Sequence, residues 1–278
     1  MGFLDFFSSK KDDEQKNEPI KVKVDFSNFE LISEYIYTKS GIIDLDKRAL
    51  VSTRLKQFAQ ELNIFTTSDF LTKMQKDIKF YQDVINIVTV NETYFFREYH
   101  ELEWLVEYIK STNENVKILS LPSSSGEETY SILIMLDMAG VDISRIEISG
   151  YDINSEAVDD ARNAYYNSHS LHKIDENIKN KYFTKQSDDL YQISSNFRNI
   201  AKFAQKNIFE LNDENSKYDI VLSRNMFIYF NNEKRAQALD VIVNLLKNGG
   251  IYIKGHADNI EQHLKLKNIE FGIYKKEF

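Results

Sequence analysis

The spacing of hydrophobic positions changes near residue 98 and divides the chain in two. From 28 to 90, apolar residues recur at three- and four-residue steps, as in helices with one buried face. Residues 29–39 make the first predicted helix, with Gly41 placed to cap its C-terminus. A second runs over 46–62, where Val51, Leu55, Phe58 and Leu62 form the apolar stripe. Ser68 is placed to cap a short third helix ending near Met74, and Tyr81, Val84, Ile85 and Val88 mark a fourth. Residues 8–25 are polar, charged and weakly periodic, so 1–27 reads as a flexible tail. Its start, Phe3-Leu4-Asp5-Phe6-Phe7, fits a docking motif or the hydrophobic end of a frayed terminus equally well.

Beyond residue 98 strands alternate with helices. A helix carrying Leu102, Leu105, Val106 and Ile109 leads into strand 116–121, helix 127–139, strand 146–151 and helix 155–167. Residues 171–183 read as helical. Residues 184–205 alternate like a hairpin, with 190–193 and 200–203 as its strands. Strand 218–223 follows, then a helix with Arg235, Leu239, Ile242 and Leu246 along one stripe. Gly249-Gly250 is expected to stop that helix before strand 251–254, and the last ten residues to add an edge strand. This order predicts an α/β domain with a mainly parallel, doubly wound sheet. The expected division is a helical domain over 28–90 and an α/β domain over 91–278, with a β-subdomain at about 184–205.

Composition narrows the function classes. With no cysteine among 278 residues, disulfides, a thiol nucleophile and thiolate metal sites are excluded. A net charge of −8 argues against broad electrostatic binding of nucleic acid. No apolar run approaches the roughly 20 residues of a membrane span, so no membrane insertion is expected. The five histidines are scattered without acidic ligands at metal spacing, and no metal site is predicted. Lys47, Arg48, Arg54 and Lys56 give the second helix a basic side, which suits either solvent or an acidic partner.

Candidate chemistry lies where strands end, since open α/β sheets bind ligands there. The loop Pro122-Ser123-Ser124-Ser125-Gly126-Glu127-Glu128 offers small residues and a helix N-terminus. It is not the glycine fingerprint of dinucleotide sites, and two acidic residues there suit a cationic group better than a pyrophosphate. Asp152, 26 residues past Gly126, stands where a carboxylate accepts hydrogen bonds from ribose hydroxyls. Asn207-Ile208 occupies a position that can hold an adenine ring by backbone and amide contacts. Arg224-Asn225-Met226-Phe227-Ile228-Tyr229-Phe230 puts polar groups after an apolar strand, and Asn91-Glu92-Thr93-Tyr94-Phe95-Phe96-Arg97 has the same character. Together these segments predict one pocket for a nucleoside-containing ligand.

Three of these segments, together with Gly255-His256, also resemble a known family, the chemotaxis receptor methyltransferases of the CheR type. Residues 91–97 resemble its N-x-T-x-F-F-R signature, and 124–131 its S-T-G-E-E-P-Y-S loop. Residues 224–230 match R-N-x-x-I-Y-F, and Gly255-His256 resembles the start of G-H-S-E. The order holds from about residue 28 to 260. The resemblance implies a class I, Rossmann-like S-adenosylmethionine-dependent methyltransferase sheet, a small all-helical N-terminal domain and an inserted antiparallel β-subdomain. It implies S-adenosyl-L-methionine as cofactor, S-adenosyl-L-homocysteine as product, and glutamate methyl esters on the cytoplasmic domains of transmembrane chemoreceptors. A cytoplasmic monomer recruited to receptor arrays is expected. In some members the β-subdomain tethers a receptor C-terminal peptide.

Carried over by position, Asn91, Thr93 and Arg97 would line the cofactor pocket. Glu128, rather than Glu127, would hold the methionine end, and Asp152 the ribose. Asn207 and Ile208 would contact adenine, while Arg224 and Asn225 complete the site. Arg97 and Tyr229 would lie near the transferred methyl, and Arg54 would serve receptor engagement or catalysis. The chain departs from the pattern at Pro122, Ser125, Thr129 and Ala257-Asp258. The competing readings are a methyltransferase for another protein or a small molecule, and a non-catalytic S-adenosylmethionine-binding signalling module.

Overall fold

The computed structural model describes residues 24–43, 45, 49–211 and 217–278. The tail expected over 1–27 therefore lies outside the described residues up to 23, as do Lys47 and Arg48.

Four helices come first: α1 (Phe29–Ser40), α2 (Ala49–Glu61), α3 (Thr67–Lys76) and α4 (Ile78–Val88). Gly41 caps α1 in the left-handed region, donating its N–H to Tyr37 O. The buried stripe of α2 is Val51, Leu55 and Ala59, while Phe58 is only half-buried and Leu62 is exposed beyond the helix end. Thr66, not Ser68, caps α3: its hydroxyl accepts from Asp69 N and donates to the Asp69 carboxylate. Asp77 then caps α4 by accepting from Phe80 N at 3.0 Å. Phe70 stands edge-on to both Phe26 and Phe80 in the shared core of these helices.

The rest is built on α5 (Tyr99–Lys110), β1 (Val116–Ser120), α6 (Glu127–Met138), β2 (Ile146–Asp152), α7 (Ser155–Asn163) and β3 (Tyr165–Tyr166). Next come α8 (Glu176–Tyr182), β4 (Phe183–Ser187), β5 (Leu190–Ile193), α9 (Ser195–Ile200) and β6 (Lys202–Gln205). The chain closes with β7 (Tyr218–Ser223), α10 (Asn232–Leu245), β8 (Leu246–Lys254), β9 (Leu266–Glu270) and β10 (Ile273–Lys276). The main sheet runs β6-β2-β1-β7-β8-β10-β9. Its first five strands are parallel, and β10 and β9 are antiparallel. The order of windings reverses between β1 and β7, which opens a crevice at their C-terminal ends. Near-continuous apolar strands such as Ile220-Val221-Leu222 fit a sheet covered on both faces.

The structure corrects several expectations. Strand 200–203 is not half of a hairpin: β6 pairs in parallel with β2, with Phe203 opposite Gly150. The hairpin is β4 with β5, and β3 completes a separate three-stranded antiparallel sheet. Alternation looks the same in an edge strand and a hairpin strand, so local pattern does not distinguish them. Helix α7 stops at Asn163, where Ala164 turns left-handed, instead of reaching 167. Gly249-Gly250 lies inside β8, at a register irregularity against β7, rather than ending α10. The C-terminus supplies two strands, not one.

Gly150 has a packing reason. A Cβ there would sit 2.6 Å from the Phe203 ring and 2.7 Å from Ser123 Cβ. Gly150→Ala should destabilise the fold by about 1–3 kcal/mol, read as a lower denaturation midpoint in urea; an unchanged midpoint would contradict this packing.

Candidate functional site

A cavity of about 390 Å³ opens at the C-terminal ends of β1, β2 and β7. Asn91, Thr93, Arg97, Glu128, Asp152, Asn207, Ile208, Arg224, Asn225 and Tyr229 all line it. Arg54 does not; it is exposed on α2.

The 91–97 motif is anchored by its aromatic residues. Phe95 is fully buried, edge-on to Tyr166 and Phe183. Phe96 adopts φ +60°, and its N–H donates to Ser131 Oγ on α6. With both rings fixed, Asn91, Thr93 and Arg97 are left facing the cavity. Arg97 donates to Glu92 O at 2.5 Å and lies 5.9 Å from the Tyr94 ring.

Arg224, at the end of β7, is buried. Its Nη1 donates to Glu128 Oε2 at 2.7 Å and its Nε to Glu98 Oε2 at 3.2 Å. Its Nη2 donates to Arg97 O. Glu128 also accepts from Ser120 Oγ at 2.7 Å. Two acidic side chains thus face one guanidinium, and of the two Glu128 lines the cavity. Glu98 was not singled out from the sequence, although it directly follows the 91–97 motif. Glu127 turns away from the cavity, bonded to Ser125 and Ser170, and burial raises its carboxyl.

Asp152 ends β2, and its carboxylate accepts from Ser124 N and Asn154 N at 2.8 Å each. Burial pushes it up to about 6 despite those bonds. Asn207 departs from the expected amide contact: its Oδ1 accepts from Phe209 N and its Nδ2 donates to Lys39 O. That amide holds α1 against the sheet, leaving its backbone and Ile208 toward the cavity. Gly126 serves packing, not ligand approach, since its Cβ would meet Ala161, Phe203 and Tyr130.

The helical domain contributes more than the sequence implied. Ser40 and Ile42 line the cavity, and Ile43 N donates to Tyr229 O. Tyr229 in turn donates its hydroxyl to Val90 O at 2.8 Å. Asp258 was read only as a departure from a motif, yet it is buried and accepts from three backbone N–H groups, those of Asn225, Phe227 and Gly255. His256, expected to stand alone, bonds Glu101 at 2.6 Å, and its N–H reaches Glu98. A separation of 155 residues hid that pairing.

The family model described as "CheR methyltransferase, SAM binding domain" matches residues 91–274, which hold nearly all of the main sheet and most of the cavity lining. The chain belongs to the CheR methyltransferase family. It is similar to the chemotaxis protein methyltransferase of Campylobacter jejuni, with 34% identity covering 83% of this chain and 87% of that protein. It is also similar to chemotaxis protein methyltransferase 2 of Vibrio cholerae, at 31% identity over 93% and 95% of the two chains. The Escherichia coli chemotaxis protein methyltransferase is 29% identical over 86% of each chain. This CheR-family chain is thus a methyltransferase that uses S-adenosylmethionine. The residues present fit that cofactor: the cavity is of ligand size, the Glu128 carboxylate on its wall suits an ammonium, and the buried Ser123 and Ser124 hydroxyls lack a protein partner. No helix among the described residues is long and apolar enough to cross a membrane.

Because the Asp152 carboxyl is raised from 3.8 to about 6, ionising it in the folded state costs stability. That cost is absent below 3.8 and complete above about 6. The melting temperature of Asp152→Asn, relative to wild type, should therefore rise between about pH 4 and about pH 7.5. A difference that does not vary with pH would contradict the raised value.

Proposed function

We propose that the chain methylates glutamate side chains on the cytoplasmic domains of chemoreceptors, giving glutamate methyl esters. The observation that carries this is the cavity wall, where Asp152, the Arg224–Glu128 pair, Arg97 and Tyr229 line one space. Asp152 would accept hydrogen bonds from ribose hydroxyls, and Ile153 and Ile208 would flank the base. Glu128, held by Ser120 and Arg224, would take the α-ammonium of the methionine end. Asn91, Thr93 and Asn225 would complete the enclosure. When bound, S-adenosylmethionine supplies an electrophilic methyl group on a sulfonium centre.

A glutamate acceptor, with a reference pKa of about 4.3, is ionised at neutral pH, so no strong general base is required. The protein's task is to remove water from the carboxylate and aim it. Arg97 would orient it through paired hydrogen bonds, and Tyr229 would shield the reacting space. Arg54, exposed with Lys56 on α2, would meet the acidic receptor helix and not the cofactor. The working division is a helical domain over 28–90 and a methyltransferase domain over 91–278, with the small antiparallel sheet as the place for a receptor-peptide tether. A cytoplasmic monomer recruited to receptor arrays fits these roles.

Incubation with methyl-labelled S-adenosylmethionine and receptor-containing membranes should label the receptor band, and mild base should release the label as methanol. Absence of base-labile label, with cofactor binding intact, would remove the glutamate assignment. Asp152→Ala should weaken cofactor binding about tenfold or more. Arg97→Ala should lower turnover far more than Lys56→Ala; equal small losses would exclude Arg97 from the acceptor site.

A further inference from the structure

We propose that Asp258 is a positioning residue for the cofactor site: its carboxylate fixes the Arg224–Phe227 turn from behind, without lining the cavity. The proposal rests on the cavity being the cofactor site.

The turn needs an external anchor. Asn225 adopts φ +63°, a left-handed conformation that asparagine tolerates better than most residues and that turns its N–H toward Asp258. Its N–H donates to Asp258 Oδ2 at 2.5 Å, and Phe227 N donates to Asp258 Oδ1 at 2.8 Å. Gly255 N donates to the same Oδ2 at 3.2 Å. One carboxylate therefore organises donors from two chain segments. Arg224, Asn225 and Met226 line the cavity directly, and Arg224 holds Glu128.

The surroundings are shaped for this contact. A Cβ on Gly255 would lie 2.7 Å from Asn225 N, 2.8 Å from Asp258 Oδ2 and 3.0 Å from Arg224 Cα. Only a glycine lets the carboxylate and the turn meet there. Lys254 Nζ donates to Asp258 O at 2.9 Å and to Gly255 O at 3.3 Å, which pins the backbone carrying the carboxylate. Asp258 is 2% exposed, with Glu98 as the nearby charge that opposes its ionisation. A buried carboxylate at that cost is compensated only by well-placed donors. An amide in its place would put an N–H₂ group against a backbone N–H, leaving one donor of the turn without an acceptor.

The test is cofactor affinity by calorimetric titration of the full chain, alongside melting temperature. Asp258→Asn should raise the dissociation constant for S-adenosylmethionine about tenfold. Asp258→Glu, which keeps both acceptors, should recover most of that loss. Gly255→Ala, which keeps the carboxylate but displaces it, should weaken binding in the same way and decides the matter if Asp258→Asn does not fold. The control is Lys276→Met, which removes buried bonds to Val243 O and Leu246 O. It should lower the melting temperature and leave affinity unchanged. Wild-type affinity in Asp258→Asn or in Gly255→Ala overturns the proposal. So does an affinity loss in Lys276→Met that tracks melting temperature as it does in Asp258→Asn. If Asp152→Ala leaves binding intact, the cavity assignment falls and this inference with it. If Asp152→Ala weakens binding while Asp258→Asn does not, this inference alone falls.

Discussion

The site depends on one buried guanidinium. Arg224 is placed by the end of β7, yet its partners come from the 91–98 turn and from the first turn of α6. A charge this deep is tolerable only when its donors are satisfied. Arginine suits the task because its planar fork presents several donors at fixed angles. Removing one partner would leave a buried guanidinium N–H without its acceptor. The same bonds therefore join three distant segments and hold Glu128 at the cavity wall.

Around that centre, backbone donors and acceptors do much of the positioning. Asp152 holds the β1–α6 loop through Ser124 N, and Asp258 holds the Arg224–Phe227 turn. Both carboxyls are pushed up to about 6 by burial, so both are costly placements. Costly buried carboxylates beyond the C-terminal ends of parallel strands mark a functional crevice; Asp152 closes β2, and Asp258 lies in the segment after β8. The helical domain then closes one side. Gln82 Nε2 donates to Ile153 O, Asn207 Nδ2 to Lys39 O, and Ile43 N to Tyr229 O. These bonds give the cavity a wall that the sheet alone lacks.

Most of the fold was legible because helical spacing and apolar strand runs are local signals. Val84, Ile85 and Val88 mark α4, and Ile220-Val221-Leu222 mark β7, without any knowledge of their neighbours. Strand β6 was not legible, because its pairing with β2 rather than with β5 is a long-range choice. The site was legible in part. Ordered motifs marked Asn91, Arg97, Glu128, Arg224 and Tyr229, all of which line the cavity. Arg54 carries the same charge as Arg97, and only the fold places it elsewhere. Asn207 also lines the cavity, but its amide is spent on α1.

By itself, the sequence determined the alternation of strands and helices, the order of motifs and the acidic character of the first turn of α6. These follow from periodicity and residue chemistry, which act over a few neighbouring positions. Only the tertiary structure decided that Arg224 neutralises Glu128, that His256 meets Glu101, and that Asp258 supports Asn225. Each of those contacts joins residues far apart in the chain. They form because burial makes an unpartnered polar group expensive, which favours arrangements where buried charges meet counter-charges or backbone donors.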